Sequence, residues 1–460
     1  MSLNKEILSY TEGKYNNLET FFLTSIEKLF QQYPEIAGII LRIGESDGKD
    51  VEDHFRSRLL LQTPHQANKF LKKVLPLFEK SDKKLIFRTW TVGIYKIGDL
   101  IWNQKTFDTV FTSIASNNLI ISMKYGDTDF FRYLPLNPLI FSGKHKKIIE
   151  FQTKREWEGM GLYPSFIGWE YEKYIEKLRS NKNIVGIHVW CQTGGWISSQ
   201  WKTITFLENS SFWNELNTYI VIKLYSKKMS VEEGITNFCK SKGISDTKDF
   251  IQLLTYSDIA IKKGLYISEF ASRTVYFRRL RIPPQVWITW DKIYITSLTS
   301  LILRHTVKDH KRAIEEGFSA VDTISQMLSV GKRIGLDKTL IHSLEFEFAT
   351  FNILAQIRKM LFGTFSESEK MQLKKQIVAY TLTFPQHYKT EIDVWNQKFK
   401  KSKKTALALQ LLFRTRKEYR SIDTIVLSTA PIQKYFIKQI VKKVIPSLSS
   451  QAMGVDMLFK

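Results

Sequence analysis

Cysteine is nearly absent. Cys191 and Cys239 are the two in 460 residues, and they form neither a disulfide framework nor a metal-ligand spacing. Long apolar runs are missing too: none approaches the ~18 residues that a membrane-spanning helix needs. The N-terminus, MSLNKEILSYTEGKYNN, is too polar for a signal peptide, so a cytoplasmic location is expected if that terminus is the native one. No internal repeat, low-complexity tract or long linker is visible. Acidic residues are short, 45 against 68 basic ones, which leaves a net charge of +23. That surplus favours polyanionic partners. The plainer reading is a lysine-rich solvated surface. No helix-turn-helix, RNA-binding or zinc signature accompanies the charge, so nucleic-acid binding stands third among the readings.

The hydrophobic share of 43% and aromatic share of 13% exclude disorder as the main state. Residues 13–33 carry Leu18, Phe22, Ile26, Leu29 and Phe30 at helical spacing, and Tyr33-Pro34 ends that helix. Ile36 to Ile43 is a continuous apolar run, the mark of a buried parallel strand. Thr63-Pro64 with Gln66 opens a helix running to about Lys80, kinked at Pro76. Further strands are read at 85–90, 119–124, 148–153 and 184–190, with a helical stretch at 97–116. This alternation predicts an α/β fold with a parallel sheet, open or closed.

From about residue 211 the pattern changes. Residues 213–225 fit strand and helix alike. Ser230 with Glu233 is a capping box, and another helix covers roughly 247–263. Beyond Pro283-Pro284 the signals are almost wholly helical. Leu344, Phe348, Phe351, Leu354, Ile357 and Leu361 form one stripe closed by Gly363, and Ser366 with Glu369 starts the next helix. The expected division is 1–210 for the α/β part and 211–460 for an all-α part. Lys398 to Arg420 is strongly basic, with Glu418 its single acid. It reads as a solvated helix face, or as a contact for a polyanion.

The stretch from Leu119 to Gly159, LIISMKYGDTDFFRYLPLNPLIFSGKHKKIIEFQTKREWEG, concentrates the chemistry. Short apolar runs end in charged residues, as the catalytic strands of an α/β barrel do; two buried strands with merely solvated ends are the alternative. Glycoside hydrolysis needs one carboxylic acid to protonate the leaving oxygen and a second carboxylate to activate water or attack the sugar. Glu45, Asp129 and Glu156 follow three different strands and meet that need in outline. Arg42, Arg88 and Lys124 at neighbouring strand ends suit a substrate with its own carboxylate. Ion pairing with the acids themselves is the other use for these cations.

That stretch resembles the catalytic segment of glycoside hydrolase family 67, the α-glucuronidases. The family shows Lys-Asn-Gly-Pro-Ile-Asp-Phe, then Met-Glu-Phe-Gln-Ile-Thr-Gln-Glu-Tyr-Leu-Gly. PEIAGIILRIGESDG at 34–48 resembles its general-acid strand. IFRTWTV at 86–92 resembles its Met-Trp-Arg-Ala-Phe-Val strand. NTYIVIKLYSKKMSVEE at 217–233 resembles the start of its C-terminal helical domain, which decides 213–225 as helix. The resemblance implies a (β/α) TIM-type barrel followed by an all-α domain. It implies Glu45 as general acid, and Asp129 and Glu156 as the carboxylates that activate water with inversion. Arg88 and Lys124 would hold the uronate. Arg42 would replace a family Lys, one residue nearer the acid. Trp190 opens a loop to 201 that is similar to the family's sugar-packing loop.

The family has further strands before its general acid, whereas Glu45 follows a single strand. A barrel incomplete at its N-terminus is therefore expected. The partner implied is an oligosaccharide or polysaccharide containing uronic acid, with no cofactor. A homodimer through the C-terminal helices is a further expectation. The competing reading is a non-catalytic or divergent relative that binds acidic glycan. What separates the two is whether Glu45 and Glu156 face each other across an open pocket.

Overall fold

The computed structural model of the chain describes residues 2–4, 15–43, 55–57, 61–91, 95–191, 212–274, 276–277, 280–289 and 292–396. Glu45, the 192–201 part of the Trp-rich loop and the basic segment 398–420 lie outside the described residues.

Five parallel strands form the main sheet: β1 (Gly38–Arg42), β2 (Lys84–Arg88), β3 (Leu119–Lys124), β4 (Lys146–Gln152) and β5 (Ile184–Trp190). Their order in space is their order in sequence, and every pair is parallel. A doubly wound sheet reverses its strand order at a switch point. This one runs in a single direction, as successive strands of a barrel wall do. Among the described residues it does not close: β1 and β5 are edges, with Ile40 56% and Val185 46% exposed.

Helices follow the expected periodicity. They are α1 (Tyr15–Gln32), α2 (Pro64–Lys80), α3 (Gln104–Phe111) and α4 (Gly168–Leu178). In α2 the Thr63 side chain accepts from the Gln66 backbone, and the Gln66 side chain answers the Thr63 N–H. That reciprocal cap satisfies two donors a helix start would otherwise leave open. The expected 97–116 helix is shorter, because Asn103 caps a new start and residues 96–102 form turns.

Successive strand residues point to opposite faces. Leu85, Phe87, Ile121, Ile149 and Phe151 are fully buried on the helix-covered face. Phe87 meets Phe111 of α3 edge-on at 5.7 Å, and Phe151 meets Tyr171 of α4 at 4.8 Å. The other face carries Ile86 and Arg88, then Ser122 and Lys124, then Glu150 and Gln152, then His188 and Trp190. Polar groups crowd its C-terminal half.

The rest of the described chain is mainly helical: α5 (Phe212–Lys227), α6 (Val231–Lys242), α7 (Thr247–Gly264), α8 (Ser297–Thr306), α9 (His310–Arg333), α10 (Lys338–Phe362) and α11 (Glu367–Thr383). The 213–225 segment is helix. The expectation of an all-α region is corrected at two places: Tyr276–Phe277 pairs antiparallel with Leu280–Arg281, and a three-stranded sheet forms further on. Lys292–Ile295 pairs parallel with Lys389–Ile392 and antiparallel with Ile288–Thr289. The run Lys-Ile-Tyr-Ile is short and β-branched, and its partner lies 97 residues on in register. Such a distant pairing leaves no local signal.

Candidate active site

The C-terminal half of the sheet face opposite those helices is built around Glu150, toward the end of β4, and most of its polar side chains are buried. Its carboxylate takes four donors. Arg88 is bidentate, Nε to Oε1 at 2.8 Å and Nη2 to Oε2 at 2.6 Å. The Ser122 hydroxyl donates to Oε1 at 2.7 Å, and the Trp190 indole N–H to Oε2 at 3.2 Å. Strand register does this: Arg88 lies opposite Ser122, and Glu150 opposite both Lys124 and His188. Burial by itself would raise the carboxyl. The bonds and charge of Arg88, the Ser122 hydroxyl and the charge of Lys124 bring it below the ordinary value instead. The Arg88 guanidinium also lies over the Trp190 ring, 4.6 Å from its centre.

A second group stands at the end of β3. Lys124 is ion-paired with Asp129, and its ammonium lies 3.3 Å from the Trp90 ring centre and 4.4 Å from that of Phe130. Asp129 also accepts the Trp157 indole N–H at 3.2 Å. The loop after β3 and the loop after β4 are thereby joined. Glu156, 9% exposed, precedes Trp157, and its backbone N–H donates to Gln152 Oε1 at 3.0 Å.

Beneath Glu156 lies a buried ionic cluster. Glu158 accepts from Arg155 at 2.6 and 3.0 Å, Arg132 at 3.2 Å, Ser165 at 2.5 Å and Tyr266 at 2.5 Å. Arg132 also pairs with Asp258 of α7. Burial would push the Glu158 carboxyl up, but Arg132 and Arg155 hold it down, to about 2. Arg155 has φ +54°, a left-handed conformation that costs a non-glycine residue energy. Its side-chain bonds to Glu158 and Tyr171 hold it there. The strained residue adjoins Glu156 directly.

Arg88, Lys124, Asp129, Glu156 and Trp190 thus lie at the C-terminal ends of β2 to β5. Arg42 ends β1, exposed and in register with Arg88. Arg88 and Lys124 both carry internal ion pairs. Sequence reasoning passed over Glu150, Ser122, His188, Trp90 and Trp157. The signal for Glu150 was present: an acid inside the apolar run IIEF, at a position facing away from the helices. Among the described residues no group of three or more His, Cys, Asp or Glu side chains converges as a metal site.

No protein-family model matches this sequence, and no curated protein does. Among solved structures, one similar chain is a GH138 enzyme targeting pectin rhamnogalacturonan II. It shares 12% identity with a TM-score of 0.43, over 79% of this chain and 56% of that one. This chain therefore spans little more than half of that enzyme's length. A likeness of this order carries no argument about activity.

Proposed function

We propose that the chain is a glycoside hydrolase, α-glucuronidase-like, acting with inversion on a uronic-acid-containing oligosaccharide. The observation that carries the reading is the meeting of Asp129 with the segment bearing Glu156 at one sheet end, through the Trp157 bond. Half-buried Trp157 bonds Asp129, Trp90 lies against Lys124, and Trp190 against Arg88 and Glu150, giving flat apolar surfaces among polar groups. In this reading Asp129 and Glu156 activate the water and Glu45 is the acid that protonates the leaving oxygen. The sheet is part of a (β/α) barrel wall. Arg42, Arg88 and Lys124 supply positive charge, and Trp190 a stacking face.

The test is the anomer released first from a glucuronide, followed by NMR. Net inversion supports the reading, and net retention removes it. Arg88→Ala separates two roles. If Arg88 holds a substrate carboxylate, kcat/KM falls far more on the glucuronide than on the matching glucoside. Equal losses leave Arg88 as the partner of Glu150 alone.

The second reading is a non-catalytic acidic-glycan binder, in which Asp129 stays engaged by Lys124 rather than activating water. It predicts retention of the glycan without release of any sugar.

A further inference from the structure

Glu150 leaves its neighbours no choice of proton. Both its oxygens are filled with donors, and its carboxylate is held ionised by Arg88, so it accepts only. The single Ser122 proton is committed to Glu150 Oε1 at 2.7 Å. Ser122 Oγ also lies 3.3 Å from His188 Nδ1. With its own proton spent, Ser122 can only accept there. His188 must therefore be the donor, carrying its proton on Nδ1. The other ring nitrogen, Nε2, then holds a lone pair and has no partner among the described residues. His188 is half-buried, on the sheet face opposite the helices.

We infer that His188 Nε2 is a hydrogen-bond acceptor of the candidate site, fixed in that role by the chain Arg88–Glu150–Ser122, and that it takes a hydroxyl of a polyhydroxylated ligand. Each member comes from a different strand of β2 to β5. The charged groups facing the ring are Arg88 from β2 and Glu150 from β4. Burial lowers the imidazole from its ordinary value, and Glu150 opposes this. The ring is therefore neutral at pH 7 and offers a lone pair. Its acceptor role ends as the pH falls through the imidazole range. The ligand class rests on the glycan reading of this site; the tautomer does not.

The test uses the full chain with 15N-labelled histidine. His188→Gln identifies the resonance. Expected at pH 7 is a neutral ring protonated on Nδ1; a proton on Nε2 overturns the inference. Ser122→Ala should erode the Nδ1 preference toward a mixture, and an unchanged tautomer also overturns it. Should that variant fail to fold, carbethoxylation of the unsubstituted protein by diethyl pyrocarbonate decides. His145 is the internal reference, since its Nε2 bonds to the Ile114 carbonyl at 2.9 Å. His188 should react several-fold faster than His145, and equal rates count against a free Nε2. D-Glucuronate and D-glucose should each slow the reaction at His188 and not at His145. Absence of protection removes the hydroxyl ligand. None of these measurements reads sugar release, so loss of the hydrolase reading would leave the tautomer standing.

Discussion

Glu347, in α10, is fully buried, and neither of its carboxyl oxygens has a hydrogen-bond partner among the described residues. Burial pushes its carboxyl well above the ordinary value. Below the unfolded-state value of ~4.3 both states hold the proton, and the group contributes nothing to pH dependence. As the pH rises from there to the folded value, the unfolded chain releases its proton and the folded chain does not. Stability then falls by about 1.4 kcal/mol per pH unit and levels off above the folded value. Glu347→Gln should remove this slope, seen as a melting temperature that holds better at pH 8 than the parent's. Glu158 behaves oppositely. Its stabilisation is present above the unfolded value and is lost as the pH falls toward about 2. The loss is on the order of 3 kcal/mol, and acid titration of stability in Glu158→Gln should lack it. Glu150→Gln leaves Arg88 facing a neutral partner in a buried setting. A loss of about 3–5 kcal/mol in urea unfolding is expected.

At the scale of elements, the turn after β4 depends on backbone geometry. Gly159 has φ +88°, Met160 φ +52° and Gly161 φ +84°, a run in the left-handed region. A Cβ on Gly159 would also sit 2.4 Å from the Tyr163 ring. Both effects act together in Gly159→Ala, so a loss of at least ~1–3 kcal/mol is expected, measured by thermal unfolding. The charged residues that follow β4 were legible in the sequence, but Arg155 in a left-handed conformation was not. Nothing local marks it, because its bonds to Glu158 and Tyr171 hold it. Capping boxes at Thr63, Ser230 and Ser366 were legible, since each spans three residues. The Lys292–Ile295 strand was not, because its partner stands 97 residues away.

Across the whole molecule, buried polar bonds tie the sheet to the helices. Arg132 reaches Asp258, Glu158 receives Tyr266, and Tyr163 meets Tyr388 at 3.0 Å between hydroxyls. Arg358 of α10 donates to the carbonyls of Gly264 and Tyr266 at 2.7 and 2.6 Å. A piece ending at residue 191 would leave Arg132 and Glu158 short of buried partners. It should show no cooperative unfolding transition, while the full chain loses helix signal and tryptophan fluorescence together. Separate transitions for the two signals in the full chain would argue for independent units. The sequence by itself determined the alternation of strand and helix, the helix starts, and the placing of charge at strand ends, because these are periodic or span a few residues. Only the tertiary structure decided what the charges do. Arg88 and Glu150 are 62 residues apart, and Lys124, Asp129 and Trp157 meet through two separate loops. Strand register sets those distances, and register is fixed by the packing of the whole sheet against its helices.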